Sequence, residues 1–288
     1  MAITLQTATV AVLDEVVEAV ASWQREGGPV QLHPGDLGWN QRLGAEELAG
    51  VVRVWRRDGR IVAVGLVEDA GLIRMGIAPD VDRDGTFAAR LLADLSDPAH
   101  GVLPARSASV EARSGTAFRE LLDQSGWVPD EPWTPLRRDL TDEVEDSGLR
   151  VEVVDADRAP ARVAVQRAAF PSSTFTLERW QAMAASSAYR RARCLVGYDA
   201  HADPVAVVTV WSAGRGRPGL LEPLGVHRDH RGHGYGTAIS LAAAAALREM
   251  GASSATVCTP SSNVGAVAAY ASAGFRDLGE VTDFRRLG

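Results

Sequence analysis

A glycine-rich hexapeptide, Arg231-Gly232-His233-Gly234-Tyr235-Gly236, is the segment whose residue types and spacing best suit a chemical role. It follows a strand-like apolar run and leads into a segment of helical character, Thr237 to Met250, which stops at Gly251. Glycines allow the backbone to turn tightly and to approach a ligand closely. The first turn of the following helix offers unpaired N–H groups and the positive end of a dipole. The pattern therefore predicts an anion site, suited to a pyrophosphate.

The hexapeptide does not match the two common nucleotide-binding loops. A P-loop ends in Gly-Lys-Ser or Gly-Lys-Thr, whereas this chain contains no lysine. A dinucleotide fingerprint needs Gly or Ala three residues after the second glycine of a G-x-G pair. The chain has Thr237 or Ile239 at that place.

A second pattern follows a strand-like run from Ala255 to Thr259. Residues 263–275 contain N-x-x-A-x-x-x-Y-x-x-x-G-F, beginning at Asn263 and reaching Tyr270. Asparagine is a good helix N-cap, and Tyr270 lies two helical turns further on. Both side chains are therefore predicted on one helix face, and Gly274 is predicted to end that helix.

Together the two patterns resemble the signatures of the GNAT superfamily of N-acetyltransferases, and the resemblance covers residues 149–288. It implies a fold of the α/β class (α+β mixed sheet), in which helices flank a central sheet of parallel and antiparallel strands. It also implies acetyl-CoA as co-substrate, no metal, and direct attack of a primary amine of a small molecule on the thioester, without an acyl-enzyme.

The resemblance assigns roles to individual residues. The backbone of Leu224, Gly225 and Val226 would pair with the pantetheine arm, and an N–H there would polarise the carbonyl. Tyr270 would protonate the departing thiolate as general acid, with a core-packing role as the alternative. The residues implied to hold the pyrophosphate or the neighbouring pantetheine are Arg231, Gly232, His233, Gly234, Tyr235, Gly236, Thr237 and Asn263.

The general base departs from the family pattern. Many members carry a glutamate eleven residues before the first residue of the loop motif, where this chain has Leu220. Glu222 lies two residues further on and hence on the same strand face. Glu222 is the candidate base; the alternatives are that it binds substrate or caps a backbone bulge beside Pro223.

The first half of the chain repeats the order of these elements. Residues 77–92 align with residues 225–240, and Ser125–Trp127 aligns with Ala273–Phe275, at one offset of 148 residues (231 − 83 = 148). This alignment places Thr86 at Gly234 and Leu122 at Tyr270. We expect two tandem GNAT folds: a degenerate, non-catalytic domain at 1–140, an acidic linker at 141–150 and a catalytic domain at 151–288.

Tandem architecture resembles that of mycothiol synthases, in which the C-terminal half is active and substrate lies between the halves. The loop 171–180 is then where an acceptor would be chosen. Phe170, Phe175 and Trp180 could line its pocket or simply pack.

Composition restricts the other function classes. A formal charge of −7 and a pI near 5.4 argue against a nucleic-acid binder, including a transferase that uses aminoacyl-tRNA. The longest apolar run, Ala238 to Leu247, is shorter than the ~20 residues of a membrane span. The first twenty residues lack a secretory pattern, and Cys194 and Cys258 follow no metal spacing.

We therefore expect a cytoplasmic, bacterial monomer or homodimer. The alternatives are a transferase for a different acyl-CoA and a non-catalytic CoA-binding or regulatory protein.

Overall fold

The computed structural model describes residues 2–288, in which thirteen strands form one sheet. The strands are Ile3–Thr7 (β1), Val52–Arg57 (β2), Arg60–Asp69 (β3), Leu72–Ile77 (β4), Ala108–Ala112 (β5), Val128–Asp139 (β6), Arg150–Val153 (β7), Ala192–Tyr198 (β8), Pro204–Trp211 (β9), Gly219–Val226 (β10), Ser254–Pro260 (β11), Arg276–Asp277 (β12) and Val281–Arg286 (β13). Their order is β1-β2-β3-β4-β5-β13-β6-β11-β10-β9-β8-β7, with β12 beside β6.

Helices flank this sheet. They are Leu13–Trp23 (α1), Pro34–Asn40 (α2), Ala45–Val51 (α3), Gly85–Ser96 (α4), Thr116–Gln124 (α5), Ala159–Ala169 (α6), Leu177–Ala184 (α7), Tyr235–Glu249 (α8) and Val264–Ser272 (α9). In residues 2–288 no helix has the length and apolar character needed to cross a membrane.

The internal repeat is visible in the strand pairing. In the first half β3 and β4 are antiparallel and β4 and β5 are parallel, and the same holds for β9, β10 and β11 in the second half. A helix follows the middle strand of each trio, α4 or α8, and another follows the parallel strand, α5 or α9. The structure confirms the predicted mixed α/β class with helices around a mixed sheet.

Each half contributes a strand to the sheet region of the other. β6, from the first half of the chain, pairs along its length with β11, from Asp139 opposite Ser254 to Trp133 opposite Pro260. β13, the last strand, pairs with β5. Phe284 of β13 is buried in the core of the first half, and Leu136 of β6 is buried in the core of the second. The two halves therefore share one continuous sheet, although residues 141–149, which join them along the chain, contain neither helix nor strand.

The two halves also meet where α2 packs on Trp211 of β9. A Cβ atom added at Gly35 would lie 2.5 Å from Trp211 Cγ, and one added at Gly38 would lie 2.3 Å from Trp211 Cζ3. Only residues without a side chain let the helix approach the indole ring this closely. His33, at the N-cap of α2, contacts the carbonyl oxygen of Pro218 at 3.2 Å. Burial lowers the pKa of His33 to about 3, so this contact involves the neutral ring.

The Gly38→Ala variant tests this packing. The added methyl group must displace the Trp211 ring, and we expect overpacking to lower the free energy of unfolding by about 1–3 kcal/mol. Urea denaturation followed by fluorescence measures it. The control is Gly50→Ala in α3, where an added Cβ has no neighbour within 4 Å. Equal stability of Gly38→Ala and the wild type would show that the Trp211 ring moves aside at little cost in free energy.

Candidate active site

The parallel strands β10 and β11 pair at only two positions and then separate. Gly219 lies opposite Ala255 and Leu220 opposite Thr256. Beyond them β10 follows β9 to Val226, while β11 follows β6 to Pro260. One edge of residues 222–226 therefore has no strand partner, and we call this separation between β10 and β11 the central gap. In the first half, β4 and β5 stay paired over four positions.

The glycine-rich hexapeptide lies where β10 leads into α8. Gly232 and Gly234 have φ of +81° and +82°, a left-handed conformation that strains any residue with a side chain. Gly234 is the N-cap of α8, no side chain caps this end, and its first turn carries no acidic residue. The first amides of a fifteen-residue helix are therefore available to an external anion.

Gly236 serves the packing of two helices. A Cβ at this position would lie 3.2 Å from the Cβ of Ala269 on α9. Next to it, the Thr237 hydroxyl donates to the carbonyl oxygen of Ala269 at 3.3 Å. The close approach of α8 and α9 fixes the loop relative to the helix that carries Tyr270.

Arg231 ties the loop to α6. Its Nη2 donates to the carbonyl oxygen of Ala169 at 2.9 Å, and Arg228 Nε donates to that of Ala168 at 3.0 Å. Both guanidinium groups thus satisfy carbonyls at the C-terminal, negative end of a helix. The sequence predicted Arg231 as a charge beside the anion; the structure adds this tether, which sequence reasoning did not foresee.

The histidines of the loop region lie close to one another and to Tyr235. The rings of His227 and His230 are 5.3 Å apart, and those of His233 and Tyr235 are 6.0 Å apart. No cluster of three or more potential metal ligands occurs within residues 2–288.

Glu222 lies in an irregular stretch of β10, where the register with β9 shifts between Leu221 and Leu224. The indole Nε1 of Trp211 donates to the Glu222 carbonyl oxygen at 2.6 Å. Burial of the carboxyl group raises the pKa of Glu222 to about 7, and the negative charge of Asp36 adds to the rise. Leu220, at the family's usual glutamate position, is a buried core residue.

Charged residues of the first half surround Glu222. Arg74 of β4 is 3.1 Å from Asp36, 3.2 Å from Glu68 and 2.9 Å from Glu111. We call Asp36, Glu68, Arg74, Glu111 and Glu222 the inter-half charge cluster. Its four carboxyl groups face the guanidinium of Arg74, and Arg42 adds a second positive charge that acts on Glu68 and Glu222. Burial raises the pKa of Asp36 to about 6. Sequence reasoning missed these first-half residues; the only local signal was a charged Arg74 inside an otherwise apolar strand.

Tyr270 lies on the α9 side of the central gap. It is 6% exposed, and its ring centroid is 5.8 Å from that of Phe275. Its pKa is raised, chiefly by burial and further by the negative charge of Glu222. Its hydroxyl makes no hydrogen bond to any residue in the described part of the chain. The candidate acid and the candidate base are thus electrostatic neighbours, although they come from separate elements.

Asn263 and the three candidate aromatic residues differ in how far they are exposed. Asn263 caps α9, its Oδ1 accepting from the amide of Ala266 at 3.3 Å, and its side chain is exposed. Phe170 covers Gly225 of β10, since a Cβ there would lie 2.9 Å from Phe170 Cε2. Phe175 and Trp180 are buried, and Phe175 stacks on Trp39 of the first half at 5.2 Å. Of the three aromatics, Phe170 alone reaches solvent beside the gap.

The first-half counterpart of the loop differs from the sequence alignment. The N-cap of α4 is Asp84, so Gly234 corresponds to Asp84 and not to Thr86. The Asp84 carboxylate accepts from the amide of Phe87 at 2.9 Å and pairs with Arg57 at 2.8 Å. The end of α4 thus already holds an anion, and the hydrogen bond from Phe87 lowers the pKa of Asp84. The two N-caps are 150 residues apart (234 − 84 = 150), two more than the offset of 148, so one constant offset does not hold across this loop.

Comparisons with known proteins agree with this geometry. The model of the Acetyltransferase (GNAT) family matches residues 154–275. No curated protein sequence matches the chain significantly.

Solved structures resemble the chain over nearly its whole length. An acetyltransferase of the GNAT family from Colwellia psychrerythraea is 14% identical with a TM-score of 0.65, covering 99% of each chain. A tandem GNAT protein from the clavulanic acid biosynthesis pathway is 16% identical with a TM-score of 0.60, covering 99% of this chain and 98% of that one. A GCN5-related N-acetyltransferase from Sphaerobacter thermophilus is 18% identical with a TM-score of 0.58, over 99% and 95%. The chain therefore shares the GNAT fold of these structures over nearly its whole length, and its residues 154–275 match the Acetyltransferase (GNAT) family.

Proposed function

We propose that the protein transfers an acetyl group from acetyl-CoA to the primary amine of a small molecule, at the central gap. One observation carries the proposal: the separation of β10 from β11 is accompanied by an uncapped α8 N-terminus packed on α9, which carries Tyr270 within electrostatic reach of Glu222. The gap can admit an extended chain, the helix end can hold its phosphates, and the two titratable groups can move protons.

The residues present fit acetyl-CoA. The amides of residues 232–237 would hold the pyrophosphate, and the unpaired edge of Leu224, Gly225 and Val226 would hydrogen-bond the pantetheine amides. Asn263, at the start of α9, lies on the other side of the gap. Bound acetyl-CoA supplies an acyl thioester, and a backbone N–H of β10 is the donor that would polarise its carbonyl.

Glu222 is the group that accepts the proton of the attacking amine. A carboxyl group with a pKa of about 7 is ionised in a large fraction of molecules at neutral pH and is more basic than an exposed glutamate. Its backbone is fixed by the Trp211 hydrogen bond, and α2 presses on the same indole. The first half therefore positions the base without contacting the cofactor.

Tyr270 is the group that donates a proton to the departing sulfur. Burial keeps its phenol protonated at every physiological pH, and no described residue competes for its hydrogen. Its proton converts the departing thiolate to a neutral thiol and leaves a phenolate at Tyr270, which regains a proton from solvent before the next turnover.

The inter-half charge cluster supports an amine acceptor. Its excess of carboxylates attracts an ammonium group, and Glu222 within it can then remove the proton needed for attack. The acceptor thus enters from the side of the first half, while the cofactor approaches along α8.

Isothermal titration with acetyl-CoA tests the proposal. We expect one site per chain in the wild type and loss of measurable binding in Gly234→Trp, because the indole would obstruct the amides of α8. Thr86→Trp is the first-half control: it adds the same indole at an exposed position in the first turn of α4 and should bind like the wild type. Absence of binding to the wild type would contradict the proposal.

Turnover measurements distinguish an acetyltransferase from a transferase for a different acyl-CoA and from a regulatory protein. A panel of small amines is assayed with acetyl-CoA, propionyl-CoA and butyryl-CoA. We expect acetyl-CoA to be the best donor. Binding of acetyl-CoA without acetylation of any amine would favour a regulatory protein.

A further inference from the structure

A cavity of about 460 Å³ opens on the first half, away from the central gap. It lies between the α1–α2 connection, the end of β5 and the start of α5. Polar and charged side chains form most of its wall, including Arg25, Asp82, Arg113, Ser114, Thr116 and Arg119. Its size is that of a small-molecule site.

The positive charges of this wall are poorly compensated. Arg25 and Arg119 have no carboxylate within 4.0 Å in the described part of the chain. Arg113 is 7% exposed, and its buried Nη1 has no hydrogen-bond partner. Its Nη2 lies 2.9 Å from Oδ1 of Asp283 on β13, a contact outside hydrogen-bond geometry. A buried guanidinium with an unsatisfied N–H is unfavourable unless another group completes it.

The carboxylates of the wall are already engaged. Asp82 accepts from the amides of Gly115 and Thr116, at 2.8 and 3.2 Å, and from the Thr116 hydroxyl at 2.7 Å. Glu26 accepts from the hydroxyls of Ser253 and Ser254, at 2.5 and 2.7 Å. Asp283, which pairs with Arg113, lies outside the wall, and burial raises its pKa. The wall thus carries three arginines against two carboxylates, both of which already accept hydrogen bonds from the protein.

The cavity has the same place in its half as the cofactor site has in the other. The end of β5 and the start of α5 correspond to the end of β11 and the start of α9. However, Asp84 occupies the end of α4 where the counterpart helix α8 is free, and β4 and β5 remain paired where β10 and β11 separate. The position therefore retains an opening but has lost the features that accept a pyrophosphate and a pantetheine arm.

We propose that this cavity binds a small polyvalent oxyanion, bearing phosphate or carboxylate groups, held by Arg25, Arg113 and Arg119. Guanidinium groups bind the paired oxygens of such anions in a bidentate manner. The site is separate from acetyl transfer, and the proposal does not depend on the catalytic role of the second half.

Titration calorimetry in the Gly234→Trp background tests the site without interference from the α8 loop. Sodium pyrophosphate and sodium citrate are the probes. We expect one site per chain for at least one of them. The double variant Arg25→Met/Arg119→Met removes two exposed arginines and should weaken binding about tenfold or more. Arg83→Met/Arg106→Met is the matched control: it makes the same change in net charge at exposed positions outside the cavity and should bind normally.

Arg113→Met gives an independent measurement, with its fold checked by circular dichroism, and should also abolish tight binding. The proposal is overturned if neither probe binds, or if the two double variants weaken binding equally. It is also overturned if CoA occupies the site in an Arg25- and Arg119-dependent manner, because the ligand would then be the cofactor. These outcomes do not depend on whether acetyl-CoA binds the wild type, so a failure of the proposed function would not change how they are interpreted.

Discussion

Tyr270→Phe is expected to lower kcat for acetyl transfer by about 10²–10³-fold, within the usual contribution of a general acid. The change removes one hydroxyl that bonds to no described residue, so the packing against Phe275 and the overall stability should be kept. Affinity for acetyl-CoA should change by less than about threefold, since the loss concerns the leaving group. Steady-state kinetics with the best amine of the panel, together with calorimetry, measure both quantities.

Tyr198→Phe is the matched control for this variant. Tyr198 lies on β8, under the guanidinium of Arg150 and remote from the central gap, and its variant should retain wild-type kcat. If Tyr270→Phe keeps more than half of the wild-type kcat, Tyr270 is a core aromatic and the sulfur obtains its proton elsewhere.

Glu222→Gln is expected to lower kcat/KM by about 10²–10³-fold at pH 8 and to change the pH profile. The base must be ionised, and the pKa of Glu222 is raised to about 7. Below pH 7 the carboxyl is protonated, so wild-type activity should fall about tenfold for each pH unit. Above pH 7 this dependence should level off. Tyr270 adds no alkaline loss in the physiological range, because its pKa is raised.

The pH profiles of wild type and Glu222→Gln are compared with one and the same amine, whose own ionisation then affects both equally. The variant should lack the limb centred near pH 7. Glu249→Gln, at the exposed end of α8, is the control and should show the wild-type profile. A Glu222→Gln enzyme that keeps the limb would assign the base to another group.

Much of the second half could be predicted from sequence because its signals are local. The bounds of β10 follow from an apolar run between turn residues. The start of α8 follows from the glycines before it, because a left-handed turn requires glycine. Asn263 as the cap of α9 is likewise a short-range pattern. Such features depend on residues that are close together in the sequence, so they can be predicted from the sequence alone.

The features that sequence reasoning missed depend on distant pairing. Asp36 and Arg74 are far from Glu222 along the chain, and only the packing of α2 on Trp211 brings them to the base. Asp84 was overlooked because one constant offset was carried across a loop whose two copies differ in length. The register of β6 with β11 has no local signal, since β6 contains three prolines and reads as an edge strand.

The crossing of β6 and β13 has a consequence for how the protein is made. The core of the first half includes Phe284 on β13, which is synthesised only after strands β1 to β12. Folding of the N-terminal half during synthesis, the usual order for consecutive domains, therefore cannot reach completion here. Until β13 has been synthesised, β5 presents an edge that could pair with another nascent chain. In the native state each half lends a strand to the other, so a fragment cut between residues 141 and 149 leaves both cores without one of their buried residues.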